Sequence, residues 1–153
     1  MKIEGLIQPE GIIPELAATT KDQVLEELAA RVAVIRPDID GAGLADILRE
    51  RERLGSTGIG EGVAIPHGKL KRLDQHLLVF GRSRQGVDYE SIDGNKVNLF
   101  FLLVAPEEAV GMHLKILARL SRIFKDPAVR MGLLEAPGVA AIYETILTQD
   151  GRY

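Results

Sequence analysis

Cysteine is absent from the 153 residues, which removes disulfides and thiolate metal sites and suits a reducing compartment. No apolar run approaches the roughly eighteen residues of a membrane span, and the opening MKIEGLIQPE lacks the apolar core of a signal peptide. A cytoplasmic protein without membrane insertion is expected. An excess of positive charge is also missing: the net charge is −3, and basic residues are scattered except at Lys69, Lys71 and Arg72. Nucleic acid is therefore not an expected partner. There is no internal repeat, linker or low-complexity tract. With 46% hydrophobic residues, the chain suits one domain, 1–153, burying about 70% of its unfolded surface.

The remaining pattern is α/β. Thr20 and Gln23 form a capping-box pair opening a helix to about Val34, with Val24, Leu25, Leu28 and Val32 as its apolar stripe. Pro37 ends it, and a second helix runs from about Gly43 to Leu54. Val63–Ile65 is a short extended segment, and Pro66, lacking an amide, ends it and leaves His67 at a strand's end. Leu77–Gly81 and Val97–Ala105 read as strands. The second, VNLFFLLVA, is apolar throughout and is expected to be central, with both faces covered. Asp93-Gly94 marks a turn before it. Pro106, Glu107 and Glu108 suit the first turn of a helix reaching Phe124. Asp126-Pro127 and Pro137-Gly138 open two short final helices.

The segment GSTGIGEGVAIPHGK, Gly55 to Lys69, carries the chemistry. Clustered glycines allow the backbone to approach an anion closely, and an imidazole beside such a concavity is a candidate nucleophile. A flexible surface loop is the competing reading. Five residues separate Gly62 from Gly68 and Leu70 follows Lys69, so the segment is not a P-loop. Gly58, Gly60 and Gly62 alternate and lead into a strand, so it is not a dinucleotide fingerprint. On the second helix Leu44, Ile47, Leu48 and Leu54 share a stripe roughly 120° wide, and Arg51 lies near its middle. An inward arginine requires a core-edge carboxylate or an anion. His113 falls in line with Ile116, Leu117, Leu120, Ile123 and Phe124; alone it reads as a core histidine. His76 is read as a surface residue. Lys69, Lys71 and Arg72 are either a solvated loop or a rim for a phosphoryl group or acidic partner. The three histidines lack the helical spacing of a zinc site. Taken together, Arg51, His67 and His113 are the components of a phosphohistidine site.

Arg51-Glu52 followed by GSTGIGEGVAIPHG resembles the signature of the type 2 enzyme IIA domains, the mannitol/fructose/nitrogen-regulatory class of the bacterial phosphoenolpyruvate-dependent phosphotransferase system. The likeness extends over essentially the whole chain. It implies a single α/β domain with a mixed five-stranded sheet flanked by helices on both faces, acting as a phosphotransferase without a cofactor. It further implies that His67 accepts a phosphoryl group on Nε2 from phospho-HPr. His113, within PEEAVGMHLKIL, matches the second active-site histidine and Arg51 the supporting arginine. The freestanding chain and the opening LIQPEGIIPELAATTKDQVLEELA are more similar to the nitrogen-regulatory branch, whose phosphorylation state controls partner proteins. The alternative is a sugar-specific fructose- or mannitol-type component passing phosphate to a IIB domain.

In-line transfer calls for a neutral imidazole, its Nδ1 proton held by a backbone carbonyl and its Nε2 lone pair free. Phosphoryl oxygens would take donors from His113, Arg51, loop amides and the Ser56 and Thr57 hydroxyls, with no metal required. An apolar rim of Ile59, Val63 and Met112 is expected to meet partners, and its affinity would change on gaining a dianion. A metal or nucleotide site on the glycine loop is the third reading, testable by stabilisation with zinc or ATP.

Overall fold

The computed structural model describes residues 2–153. Strands are β1 (Ile12–Ile13), β2 (Gly58–Gly60), β3 (Val63–Ala64), β4 (His67–Leu70), β5 (Leu77–Val87) and β6 (Val97–Pro106). Helices are α1 (Lys21–Ile35), α2 (Gly41–Arg53), α3 (Val110–Phe124), α4 (Pro127–Glu135) and α5 (Val139–Arg152). The mixed sheet runs β1-β5-β6-β3-β2, and β4 pairs with β6 farther along the edge that β3 uses. Both β3 and β4 lie parallel to β6, Val63 opposite Leu99 and His67 opposite Leu103. They are one strand position broken at Ile65-Pro66, which gives the expected five positions from six strands.

The apolar run of β6 is central, as its composition predicts. Phe100, Leu102 and Val104 face a core closed by Leu25, Leu28 and Val32 of α1 and Leu44 and Leu48 of α2. Leu99, Phe101 and Leu103 face the opposite core, closed by α3, α4 and α5. The strand period of two thus supplies two helical layers at once. Phe101 stacks on Phe124 with ring centres 4.0 Å apart, fastening the end of α3 to the sheet. Arg119 of α3 pairs with Asp150 of α5 at 2.7 Å in a buried contact, and Asp150 also accepts from the Ile3 and Glu4 amides. Fully satisfied, this pair fixes the helix that carries His113.

The Thr20 hydroxyl caps α1 by accepting from the Gln23 amide, while the Gln23 side chain reaches back to Thr19 N–H rather than to Thr20. Two sequence expectations move. Pro106 does not open a helix. It is the last residue of β6, opposite Leu70, and α3 starts at Val110 because the parallel ladder continues through the Glu107 amide to Leu70 O. His67 does not end a strand; it opens β4, and the ladder resumes across the proline because Leu103 N donates to Pro66 O at 3.0 Å. A proline removes a donor from a ladder but not an acceptor.

Candidate active site

His67 lies where the broken strand restarts, between the end of α2 and the first turn of α3. Its Nδ1 is 2.8 Å from the carbonyl of Ile65, and Arg51 Nε is 3.2 Å from its Nε2. A guanidinium can only donate, so Nε2 must accept and the ring proton must sit on Nδ1, donating to Ile65 O. Burial holds this imidazole below its ordinary value; the Ile65 carbonyl opposes that lowering, and the Arg51 charge adds to it. At neutral pH the ring is uncharged, with its Nε2 lone pair turned towards the guanidinium.

Arg51 has no carboxylate partner among the described residues. Its remaining contact is Nη1 to Gly55 O at 2.9 Å. The guanidinium therefore joins the imidazole to the loop that follows α2. His113 stands on the other side, its ring centre 5.3 Å from that of His67. It is 4% exposed, and burial, reinforced by the neighbouring basic groups His67, Lys69 and His76, pushes its imidazole down to about 4. Position 113 is the fourth of α3, where the positive helix end adds to this preference for the neutral ring. A cleft of about 540 Å³ opens over the three side chains, lined also by Ile47, Leu54, Lys69 and Leu114. On the loop side, a second cleft of about 290 Å³ brings Ser56 and Ser121 next to Arg51 and His67.

The glycine segment works differently from the sequence reading. Its amides do not form an open anion cradle: Gly55 N donates to Glu52 O, Thr57 N to Glu52 Oε1, Gly58 N to Ser56 Oγ and Glu61 N to Asp93 Oδ2. The alternation instead builds the β2–β3 hairpin, where Gly60, Glu61 and Gly62 have φ of 94°, 60° and 78°. Gly58 is required for another reason, since a Cβ there would lie 2.7 Å from Ser91 Oγ. The positive charge facing His67 comes from Arg51 and Lys69.

Thr57 is not free to bind phosphate. It is 4% exposed, and its hydroxyl bonds both the Glu52 carboxylate and Tyr89 Oη. Glu52 also accepts from Lys21 Nζ at 2.9 Å, and Lys21 sits 4.8 Å above the Tyr89 ring. This buried set braces the loop behind Arg51. Ser56 lines the cleft, its hydroxyl donating to Tyr89 O at 3.3 Å.

The predicted apolar rim also changes. Val63 is fully buried in β3 and Ile59 is partly buried against the α3 side of the sheet; Met112 alone of the three is exposed, at 41%. The exposed apolar groups bordering the larger cleft are Ile47, Leu54 and Leu114. Leu54 leaves the inward stripe because α2 ends one residue earlier. His76 is not on the surface: it is 8% exposed, with its ring 6.4 Å from that of His113. It precedes Leu78 and Phe80 on the period-two face of β5 that packs against α3, a signal visible once β5 is extended back by one residue. Ser121 had a signal as well, since 113, 117 and 121 repeat every four positions on α3. Glu52 and Tyr89 had none beyond their charge and ring. Among the described residues, no group of three or more His, Asp or Glu side chains is arranged to hold a metal ion. Nor, among those residues, is any helix long and apolar enough to cross a membrane.

Comparison with known proteins places this geometry in context. The family model described as "Phosphoenolpyruvate-dependent sugar phosphotransferase system, EIIA 2" matches residues 5–149. A nitrogen regulatory protein of Bradyrhizobium diazoefficiens is 42% identical over 146 residues, 95% of each chain. A fructose-specific EIIABC component of Bacillus subtilis is 37% identical over 150 residues, covering 98% of this chain and 24% of that protein. Among solved structures, the nitrogen regulatory protein IIA-Ntr of Neisseria meningitidis superposes with a TM-score of 0.88 at 30% identity, covering 94% of this chain and 98% of that one.

Proposed function

This chain belongs to the type 2 enzyme IIA family of the phosphoenolpyruvate-dependent sugar phosphotransferase system, and from that premise we propose that it carries a phosphoryl group on Nε2 of His67, received from phospho-HPr. The observation that carries the reading is the pair of contacts on one ring: Nδ1 on the Ile65 carbonyl and Nε2 on a guanidinium without a carboxylate. The first fixes the tautomer whose nucleophilic lone pair lies on Nε2. The second sets a donor beside the atom that would bond to phosphorus.

In the transfer, the donor's nitrogen–phosphorus bond breaks as the Nε2–phosphorus bond forms. The electron pair of the broken bond returns to the donor nitrogen. The Nδ1 proton stays on the ring, where Ile65 O offsets the positive charge that develops. Arg51 and His113 Nε2–H donate to the equatorial oxygens, each charge-assisted bond contributing about 1.5–3 kcal/mol. Lys69 adds an exposed positive charge at the rim.

The regulatory reading, in which phosphorylation of His67 controls partner proteins, is supported by the similarity to a nitrogen regulatory protein along nearly its whole length. The partner surface is the apolar border of Leu54, Met112 and Leu114, 84%, 41% and 60% exposed. A dianion added beside it would disfavour an apolar partner and favour a basic one. The second reading, donation to a IIB domain for sugar uptake, is favoured by the similarity to the fructose-specific component.

The deciding experiment is intact mass after incubation with phosphoenolpyruvate, the general phosphotransferase enzyme and HPr, wild type beside His67→Ala. One acid-labile phosphoryl adduct, absent from the variant, is expected. An adduct that persists in His67→Ala, or none on the wild type, would overturn the assignment. A pull-down with unmodified and phosphorylated protein then separates the branches, because a pure carrier retains no regulatory target in either state.

A further inference from the structure

The proposed reaction uses two of the three histidines, and the third is buried beside one of them, His113. His76 immediately precedes β5, on the side covered by α3, and its ring lies nearly parallel to that of His113, at 21° with centres 6.4 Å apart. Two nitrogens in this pair are enclosed without a protein partner: His76 Nε2 and His113 Nδ1. Buried polar atoms in this condition are uncommon, and two on adjacent rings can satisfy each other. Each neutral imidazole has one donor and one acceptor; with the ring centres 6.4 Å apart the two nitrogens are too far for a direct bond, so a donor on one ring meets an acceptor on the other through one bridging water.

Among the described residues no carboxylate hydrogen-bonds to His113; Glu50, which lines the same cleft, pairs with Arg53. The titratable groups that bear on it, His67, Lys69 and His76, are all basic. The carboxylate–imidazole pairing that fixes a histidine tautomer in many enzymes is therefore replaced here by a second imidazole. The direction of this contact matters. His113 Nδ1 is the enclosed nitrogen, which leaves Nε2 as the one presented to the cleft shared with His67. If Nδ1 carried the proton, the Nε2 lone pair would oppose an anionic oxygen; if Nδ1 accepts, Nε2–H can donate to it.

We propose that His76 is a positioning residue: through one bridging water its Nε2–H holds His113 Nδ1 as an acceptor, and so keeps the His113 Nε2 proton aimed at the phosphoryl group bound to His67. The role of His113 as donor, and with it the choice of tautomer, rests on the function proposed above; the tautomer is read independently of phosphoryl transfer.

The test uses two variants at neutral pH. His76→Gln keeps an N–H donor near the Nε2 position, whereas His76→Leu fills the site without one. Nitrogen-15 spectra of the unphosphorylated protein should show His113 protonated on Nε2 in the wild type and in His76→Gln. In His76→Leu the proton should shift substantially to Nδ1. Single-turnover transfer from phospho-HPr should slow roughly tenfold in His76→Leu, the scale of one lost hydrogen bond. Half-saturation should not change, and His76→Gln should recover most of the rate. Retention of the Nε2 tautomer in His76→Leu, a wild-type His113 protonated on Nδ1, or equal slowing in both variants would overturn the proposal. If no variant and no wild type accepts phosphate, the proposed function fails, and the spectra still decide the role of His76.

Discussion

Acid should destabilise this protein through His113 before its carboxylates are fully titrated. Burial takes the His113 imidazole from its ordinary 6.5 to about 4. At about 1.36 kcal/mol per tenfold change in proton affinity, neutral His113 accounts for at most roughly 3 kcal/mol of pH-dependent stability. The sign follows from proton counts. Between the two values the unfolded chain binds the proton and the folded one does not, so stability is full above about pH 6.5 and falls towards pH 4. The His113→Gln variant keeps a polar side chain but cannot charge. Urea unfolding of both proteins at half-unit steps from pH 7.5 to 4 should show the wild type losing stability more steeply, by up to about 1.4 kcal/mol per pH unit in the middle of that window. Below about pH 4 the two profiles should run parallel again. Parallel profiles across the whole range would refute the claim that His113 is kept neutral by its surroundings.

Arg51→Ala should raise the His67 value by removing a neighbouring positive charge, as read by NMR titration, and slow phosphoryl transfer about ten- to a hundredfold for one lost charge-assisted bond. The same variant should speed reaction of His67 with an uncharged reagent such as diethylpyrocarbonate, followed on the peptide containing His67. Tyr89→Phe removes one bond to Thr57 and should cost about 1 kcal/mol in urea unfolding. In Gly58→Ala the new methyl would lie 2.8 Å from Ser91 Cβ and 3.0 Å from its Cα, and a loss of about 1–3 kcal/mol is expected in the same assay.

The sheet and its two helical layers could be read from the sequence because their signals are local and periodic: VNLFFLLVA for a strand covered on both sides, and Thr20 and Asp126 for helix starts. Arg51 and His113 could be read because each breaks an apolar stripe. The missed features depend on pairing across the chain. Pro106 carries the composition of a first helical turn, but the β4–β6 register keeps it in the sheet. The glycines suggested exposed amides, but Glu52, Asp93 and the hairpin geometry take those amides up. His76 and Thr57 are polar in sequence and buried in the fold, because α3 covers one and Tyr89 the other. Burial of this kind depends on which element arrives from elsewhere in the chain.

The contact from Arg51 to His67 Nε2 acts as a safety catch. At rest the guanidinium sits on the only lone pair with which the ring can attack, so an uncharged electrophile meets a capped atom. On the function proposed above, an incoming phosphoryl group would bring its own negative oxygens, which would draw the guanidinium aside and expose the nitrogen beneath. In that reading the cargo releases the catch, and a carrier so built would remain in a cell full of reactive small molecules without being spent on the wrong one.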